Sequence, residues 1–224
     1  MRLPSGDMQQ FRIVPAGDAA LVVDLPARID PDLNAWCVGL ARTVQSELGT
    51  AIRDAVIGYC SVTVYFDPMK TDGAWLEAEL QTLAEDLEVE AATRGASVDV
   101  PVRYGGESGP DLSEVARFAG CSEDDVIALH AGRDYRVYLV GFVPGFAYMA
   151  EVDSRIAIPR KATPRTAVPA GSVAIAAAQT GVYPAVTPGG WNIIGRTPLA
   201  PYDPVRREPF LFRPGDTVRF HRID

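Results

Sequence analysis

The sequence predicts an α+β sandwich of the ferredoxin-like kind over residues 1–97, followed by a mainly-β barrel or sandwich over residues 98–224. Two observations predict this division. Apolar residues alternate between strand and helix spacing through the first hundred residues. Residues 141–216 then hold 8 glycines and 11 of the chain's 18 prolines, a density that no long helix tolerates.

In the first domain the pattern predicts two pairs of strands, each followed by a helix. Asp30 can cap the first helix, Pro31 suits its first turn and Gly49 can end it. Helices that follow paired strands favour one helical layer on a mainly antiparallel sheet. The predicted elements are strands at 11–14 and 19–25, a helix from 31 to 48, strands at 53–57 and 61–66, a helix from 72 to 92 and a strand at 98–102.

In the second domain two short helices precede a series of strands. Asp111 and Ser122 are placed to cap the helices, and Gly120 and Gly132 to end them. Short strands joined by turns are typical of a barrel or a sandwich. The predicted helices cover 112–119 and 123–131, and the predicted strands include 135–140, 172–176, 191–194 and 217–221.

The composition indicates a globular protein of the cytoplasm. A chain of 224 residues with 47% hydrophobic and 22% charged residues can form a substantial core. No apolar run reaches the roughly 18 residues of a membrane span, and residues 1–10 lack the apolar stretch of a secretory signal. The 3 cysteines are widely spaced, so neither a disulfide framework nor a zinc site is predicted.

The charges are distributed unevenly along the chain. Residues 1–131 carry 9 basic and 22 acidic side chains, whereas residues 132–224 carry 12 basic and 7 acidic ones. The net charge of −8 argues against nonspecific nucleic-acid binding. Two interpretations remain for the positive half: a chance distribution over a solvated surface, or a site for an anion such as a carboxylate or a phosphate.

Familiar catalytic motifs are missing from the sequence. The Gly-rich segment 105–109 lacks the lysine of a phosphate-binding loop, and neither a GxSxG elbow nor an HExxH helix occurs. With only His130 and His221, a histidine-rich metal site is excluded. Any catalysis must therefore use arginines, amides, hydroxyls and backbone donors.

The segment 141–148, GFVPGFAY, is the first candidate for a ligand site. Gly141 and Gly145 bracket a proline, and such a loop can bring backbone N–H groups close to a ligand. Phe142, Phe146 and Tyr148 can supply apolar walls. The alternative is a rigid turn whose aromatic side chains fill the core.

The segment 159–165, PRKATPR, is the second candidate. It holds Arg160, Lys161 and Arg165 in a proline-stiffened stretch, and guanidinium groups fixed in this way suit carboxylate or phosphate recognition. An exposed basic loop is the alternative interpretation.

The third candidate comprises three Gly- and Pro-rich turns between strands. Amides, hydroxyls and Arg196 lie on these turns, as a site for a small amide-like molecule requires. Turn chemistry alone can also place these residues. The segments are QTGVYP at 179–184, TPGGWN at 187–192 and GRTP at 195–198.

Taken together, these segments resemble the family of the 5-oxoprolinase B subunit, which includes the protein called allophanate hydrolase subunit 1, the sporulation-kinase inhibitor KipI and the matching region of urea carboxylases. The resemblance is weak before residue 98 and strong after it. The motifs that carry it are VRYGG at 102–106, GPDL at 109–112, His130, GFVPGF at 141–146, PRKATPR at 159–165, VPAGSV at 168–173, QTGVYP at 179–184, TPGGW at 187–191 and IIGRTP at 193–198.

The resemblance implies a cyclophilin-like barrel in the C-terminal half and an ATP-dependent activity, with Mg²⁺ expected but without identified ligands. It also implies two further proteins, a partner C subunit with which the chain forms a heteromeric complex, and a separate A subunit. The implied substrate is 5-oxoproline, a lactam opened to glutamate. Catalysis by this chain alone is not expected.

Site residues follow from the motifs and the resemblance together. His130, Arg165 and Gln179 are predicted to be catalytic, although by position alone His130 merely complements a helix dipole. Residues predicted to bind substrate or nucleotide are Gly145, Tyr148, Arg160, Tyr183, Gly189, Gly190, Asn192 and Arg196.

Two other functions remain open at this point. One is carboxyl transfer to a urea-like nitrogen from carboxybiotin, and the other is inhibition of a histidine kinase through the barrel surface. The sequence also departs from the family pattern. Ala147 stands where a second proline is usual, and Ala177 and Ala178 stand where glycines are common, so a local difference in the backbone is expected.

Overall fold

A computed structural model describes residues 11–88 and 95–224. Contacts divide the chain into two compact units, Met1–Arg94 and Gly95–Asp224. Within the described ranges, no helix has both the length and the apolar character needed to cross a membrane. The prediction that concerns residues 1–10 lies outside these ranges.

Within residues 11–88, four strands form one antiparallel sheet. They are β1 (Arg12–Pro15), β2 (Ala20–Asp24), β3 (Ile52–Ile57) and β4 (Ser61–Phe66). Their order across the sheet is β1-β2-β4-β3. Val62, Val64 and Phe66 are buried because alternate side chains of a strand point to the same face.

Two helices pack on this face of the sheet. In α1 (Pro31–Leu48), the Asp30 carboxylate accepts hydrogen bonds from two backbone N–H groups of the first turn. In α2 (Gly73–Asp86), Asp72 caps the helix in the same way, through one backbone N–H. Each fully buried Leu or Val contributes roughly 1.5–3 kcal/mol, so the shared core holds the layers together. That core includes Leu21, Val23, Leu33, Trp36, Leu40, Val44, Val62, Val64, Leu76 and Leu80.

The α+β sandwich is confirmed, but one helix differs from the prediction. α2 ends at Asp86 because Leu87 takes an extended conformation, and the predicted continuation to residue 92 runs into residues outside the described ranges. The strand predicted at 98–102 lies in the second unit, on the side of residue 98 to which the predicted boundary assigns it. The observed strand order does not confirm the ferredoxin-like arrangement.

Within residues 95–224, seven strands close into a barrel. The strands are β5 (Ser97–Tyr104), β6 (Asp134–Val140), β7 (Ala147–Ala150), β9 (Ser172–Ala176), β10 (Gln179–Val182), β12 (Asn192–Arg196) and β13 (Thr217–Arg222). Their order is β10-β7-β6-β13-β5-β12-β9. A separate pair consists of β8 (Arg165–Val168) and β11 (Thr187–Gly189). The predicted barrel is confirmed, whereas its cyclophilin-like character remains a prediction.

Two short helices follow β5 and have the predicted limits. They are α3 (Leu112–Ala119) and α4 (Glu123–Ala131). Ser122 and Asp125 form a reciprocal capping box at the start of α4, and left-handed Gly120 ends α3. Asp111 lies at the predicted cap position of α3, but its side chain makes no capping hydrogen bond. Its carboxylate is engaged elsewhere, so the predicted capping role is wrong.

The buried strand β9 separates two apolar clusters of the second unit. Val173 and Ile175 belong to the larger cluster, which also contains residues of both short helices. Ala174 and Ala176 belong to a smaller cluster that includes Phe146, Tyr183, Trp191 and Ile193. The smaller cluster forms the floor of the candidate site.

The turn between β9 and β10 contains a backbone conformation that favours glycine. Ala177 has a φ of 50°. A side chain in this left-handed region places Cβ too close to the following carbonyl oxygen. The departure from the family pattern at this position therefore introduces strain.

We expect Ala177→Gly to raise the free energy of unfolding by about 1 kcal/mol, because glycine adopts the left-handed region without a Cβ penalty. Ala178→Gly is the matched control. Ala178 does not have a positive φ, and glycine there should lower stability by about 0.5–1 kcal/mol. Urea denaturation measures both changes, and effects of the same sign would contradict the prediction.

Candidate functional site

An open pocket of about 490 Å³ lies beside the smaller apolar cluster. Four parts of the second unit form it: the 142–148 loop, the 159–165 segment, Tyr183 directly after β10, and residues 187–191 of β11 and the turn that follows it. Its lining consists of Phe142, Val143, Phe146, Tyr148, Arg160, Pro164, Tyr183, Thr187, Pro188, Gly189, Gly190 and Trp191. We call it the aromatic pocket.

The aromatic walls are held in place by contacts among their own rings. Phe146 makes edge-to-face contacts with Tyr148, Tyr183 and Trp191 at centroid distances of 4.8, 5.1 and 5.3 Å. Such arrangements contribute roughly 0.5–1.5 kcal/mol each beyond the area that they bury. The ring contacts therefore hold the walls in fixed positions.

Phe142 lies at the mouth of the aromatic pocket in a strained conformation. Its φ is 68°, and 63% of the residue is exposed. Hydrogen bonds from the backbone N–H of Gly141 to the Phe146 carbonyl (3.0 Å) and from that of Phe146 to the Val143 carbonyl (3.1 Å) fix the loop. Strain of this kind is concentrated at ligand-binding positions.

Arg160 gives the aromatic pocket its positive charge. The central carbon of its guanidinium lies 5.8 Å from the centroid of the Trp191 ring, a cation–π distance. Among the described residues, no carboxylate forms an ion pair with Arg160. Its guanidinium can therefore receive an anionic ligand, and the indole face beside it can support the apolar part of that ligand.

Tyr183 closes one side of the aromatic pocket against a glycine. A Cβ atom at Gly189 would collide with the Tyr183 hydroxyl, so this position requires glycine. Burial raises the pKa of Tyr183, and burial likewise raises the pKa of Tyr148. Both phenols are therefore neutral at physiological pH and can donate hydrogen bonds to a ligand.

Asp111 connects the cationic segment to α3 and β12. Its Oδ1 accepts hydrogen bonds from Arg165 Nη2 at 2.7 Å and from Lys161 Nζ at 2.9 Å. Its Oδ2 accepts from the backbone N–H of Ile193 at 2.7 Å. Only 5% of the Asp111 side chain is exposed. One buried carboxylate thus fixes three segments around the site.

The charges around Asp111 set its protonation. Burial opposes ionisation, but the hydrogen bonds from Arg165, Lys161 and Ile193 outweigh burial and hold the pKa of Asp111 below its usual value. Lys161 also pairs with Glu114 at 2.6 Å. Arg165 keeps one buried nitrogen, Nη1, without a hydrogen-bond partner in the described ranges. Apart from that nitrogen, Lys161 and Arg165 are committed to the protein, whereas Arg160 is not.

His130 lies in the core, outside the lining of the aromatic pocket. Its Nδ1 is 2.8 Å from the Tyr104 hydroxyl, and its Nε2 is 2.9 Å from Thr180 Oγ1. Because Thr180 donates to the Ala174 carbonyl at 3.0 Å, its oxygen accepts from Nε2–H. Nδ1 then accepts from Tyr104. Burial lowers the pKa of His130 to about 3, so the ring is neutral.

The remaining predicted residues are spread over the second unit. Gln179 starts β10, and Arg196 lines a different pocket. Asn192 is buried and donates to the carbonyls of Pro159 (2.9 Å) and Ile175 (3.3 Å), which positions the segment before Arg160. Gly145, with a φ of 86°, packs so closely on Tyr202 that a Cβ would clash.

Of the predicted residues, the aromatic pocket brings together Tyr148, Arg160, Tyr183, Gly189 and Gly190. Trp191 lines the aromatic pocket but is not among the predicted binding residues, although it belongs to the TPGGW motif, and Asp111 holds the cationic segment instead of capping α3. A tryptophan directly after two glycines is a local pattern from which a position in a pocket lining could be predicted. Nothing local indicated that Asp111 meets cations some fifty residues further along the chain.

The second unit thus combines a closed barrel with an aromatic pocket whose arginine no described carboxylate neutralises. A family model described as "Carboxyltransferase domain, subdomain C and D" matches residues 11–212. The chain belongs to this family.

Curated relatives match over nearly the full chain. The B subunit of 5-oxoprolinase from Bacillus subtilis (strain 168) is 38% identical, covering 96% of this chain and 93% of the relative. The B subunit of 5-oxoprolinase from Haemophilus influenzae is 41% identical, covering 94% and 97% respectively. The similarity therefore includes both units.

Solved structures share the fold. The crystal structure of TTHA0988 has a TM-score of 0.82 and 39% identity, and the match covers 92% of this chain but 40% of that longer chain. The urea amidolyase of K. lactis has a TM-score of 0.77 at 18% identity, covering 97% of this chain and 15% of the enzyme. At that identity the likeness concerns the fold alone.

We expect Asp111→Asn to lower the free energy of unfolding by about 2–3 kcal/mol, because a neutral amide cannot accept charge-assisted hydrogen bonds from both Lys161 and Arg165. Asp134→Asn is the control: Asp134 pairs with Arg219 on the surface, where an ion pair contributes little. Chemical denaturation compares the two variants. An equal effect of both would show that the Asp111 contacts do not stabilise the fold.

The stability of the protein should depend on pH through His130. Its folded pKa of about 3 lies below the ordinary value of 6.5, so the unfolded chain binds the proton more tightly. The stabilisation that neutral His130 gives to the folded state is complete above pH 6.5 and is lost as the pH falls towards 3. Over this interval the free energy of unfolding should fall by up to about 1.4 kcal/mol per pH unit. His130→Gln should make this slope shallower in denaturant titrations, whereas His221→Gln, at the exposed histidine, should retain it. Identical slopes for wild type and His130→Gln would refute the assignment.

Proposed function

We propose that this chain is the B subunit of an ATP-dependent 5-oxoprolinase that acts in the cytoplasm with separate C and A subunits. In this role it helps to activate 5-oxoproline for hydrolysis to glutamate. The observation that carries the proposal is Arg160, stacked on Trp191 and paired with no described carboxylate. It lies in the pocket of a chain 38% and 41% identical to proteins named as the B subunit of 5-oxoprolinase.

The chemistry of 5-oxoproline matches the aromatic pocket. The molecule is a flat five-membered lactam that carries a carboxylate. We assign the carboxylate to Arg160, since a guanidinium can bind it bidentately. The ring then lies against Trp191, and the neutral hydroxyls of Tyr148 and Tyr183 donate to the lactam oxygen.

ATP supplies the phosphoryl group that makes the unstrained lactam carbonyl reactive towards water. Arg196, which lies in a different pocket from Arg160 and pairs with no carboxylate in the described ranges, fits a polyanion of this kind. Mg²⁺ accompanies ATP in such reactions. The described residues hold no group of three or more acidic, histidine or cysteine side chains suited to a metal ion, and we assign no Mg²⁺ ligand.

The predicted catalytic residues receive different roles in this proposal. Arg165 can offer only its unpartnered Nη1 to a ligand. His130 acts as a positioning residue that joins α4 to β5 and β10 through Tyr104 and Thr180. Gln179, at the start of β10, does not line the aromatic pocket, and its catalytic role stays a prediction.

We expect Arg160→Gln to raise the KM for 5-oxoproline at least about tenfold, since a lost hydrogen bond to a charged group costs about 1.5–3 kcal/mol. The measurement is 5-oxoproline-dependent ATP turnover by the complex reconstituted from all three subunits. Arg222→Gln is the matched control, because Arg222 pairs with Asp124 on the surface.

The same assay separates the competing functions. A wild-type complex that shows no 5-oxoproline-dependent ATP turnover would contradict the proposal. Stimulation by a biotin carrier would indicate carboxyl transfer instead, a function for which the present support is a likeness of fold. Inhibition of a histidine kinase that survives Arg160→Gln would indicate a surface-mediated regulator.

A further inference from the structure

A second pocket, of about 460 Å³, lies where β5 and β12 meet. Two arginines line it, Arg103 on β5 and Arg196 on β12. Ser108, Thr197 and Pro184 also belong to its lining. We call it the diarginine pocket.

The two arginines face each other across the strand pair. In the antiparallel register of β5 and β12, Arg196 lies directly opposite Arg103. Like charges at such positions destabilise a sheet. Within the described ranges no carboxylate side chain pairs with either guanidinium. The register therefore places two positive charges next to each other on neighbouring strands.

Both guanidinium groups are oriented by the main chain. Arg103 Nε donates to the backbone oxygen of Asp224 at 2.7 Å, and Arg196 Nε donates to that of Ala170 at 3.0 Å. These bonds fix the planes of the two groups and leave their terminal nitrogens for another acceptor. A preoriented pair of this kind suits a multiply charged oxyanion.

The Gly-rich loop 105–109 adds further donors. Ser108 of this loop lines the diarginine pocket. The backbone N–H of Ser108 makes no main-chain hydrogen bond within the described ranges. Loops with free N–H groups in turn conformations form anion-binding concavities. The loop lacks the lysine of a P-loop, and the two arginines supply the positive charge that the lysine would have provided.

From these features we infer that the diarginine pocket binds phosphoryl groups. Two guanidiniums, a hydroxyl and a backbone N–H offer more donors than the two oxygens of a carboxylate accept, whereas each phosphoryl group presents three acceptor oxygens. Pro184 lines this pocket and its neighbour Tyr183 lines the aromatic pocket. Substrate and phosphoryl groups thus occupy pockets on either side of one short segment. The identification of these groups as the phosphates of ATP rests on the proposed function; phosphoryl binding itself does not.

Inorganic pyrophosphate is the probe that tests this inference. Calorimetry and thermal unfolding of the full chain, in phosphate-free buffer at constant ionic strength, measure its binding. Pyrophosphate should raise the Tm of wild type, and Arg103→Gln and Arg196→Gln should each weaken the Kd at least about tenfold. Arg222→Gln, an exposed arginine of another strand, should bind as wild type does.

The effect of Arg196→Gln on the Tm should reverse its sign when the anion is added, which gives a second measurement. Without the anion, Arg196→Gln should raise the Tm slightly, because the repulsion from Arg103 is relieved. With the anion, the same variant should melt below wild type. A merely structural arginine would lower the Tm under both conditions.

Four outcomes would overturn the inference. They are no pyrophosphate binding by the chain or by its complex with the C subunit, binding that both arginine variants retain, loss of binding through Arg160→Gln instead, and displacement of pyrophosphate by an equal concentration of 5-oxoproline or glutamate. The last outcome would identify a carboxylate site. A complex that binds pyrophosphate through these arginines but has no 5-oxoprolinase activity would count against the proposed function alone.

Discussion

The arrangement of the candidate site depends on the buried carboxylate of Asp111. By accepting from Lys161, Arg165 and the backbone of Ile193, it fixes the cationic segment to β12 and to the start of α3. Asp111 also determines which of the three cations in that segment are paired within the protein. Lys161 and Arg165 pair with Asp111, whereas Arg160 pairs with no described carboxylate. One of the three cations of this segment is therefore without a carboxylate partner in the described ranges, because burial of the Asp111 carboxylate requires compensating charge from the other two.

Polar groups in the second unit fall into two classes. His130, Thr180 and Asn192 are buried and hydrogen-bonded within the protein, which gives the barrel a specific internal geometry. Arg160, Arg103 and Arg196 pair with no carboxylate side chain in the described ranges and lie in open pockets. Thr180, Asn192, Arg160 and Arg196 come from similar Gly- and Pro-rich segments. The segment alone therefore does not distinguish a structural polar residue from one that is open to a ligand, whereas the hydrogen bonds do.

Local signals predicted much of the fold. Helix-capping residues and apolar residues at helical spacing predicted α1, α3 and α4, because a helix depends on residues only a few positions apart. The short strands β7, β8, β10 and β11 were not predicted, because their pairing partners are distant and their sequences are rich in Gly and Pro. For the same reason the contacts of Asp111 with Lys161 and Arg165 were not predicted. The departure at Ala177 and Ala178 indicated a local backbone effect, and the structure shows a positive φ at Ala177.

The pairing of β13 with β5 has a consequence for the order of folding. Residues 217–222 lie parallel to residues 97–102, so the barrel closes through one of the longest sequence separations in the unit. During synthesis on a ribosome, the earlier strands emerge long before the strand that completes the ring. Until then β5 and β6 have exposed edges, and such edges invite pairing with other chains. Efficient production of this protein should therefore depend on how quickly the final segment is released relative to encounters between nascent chains.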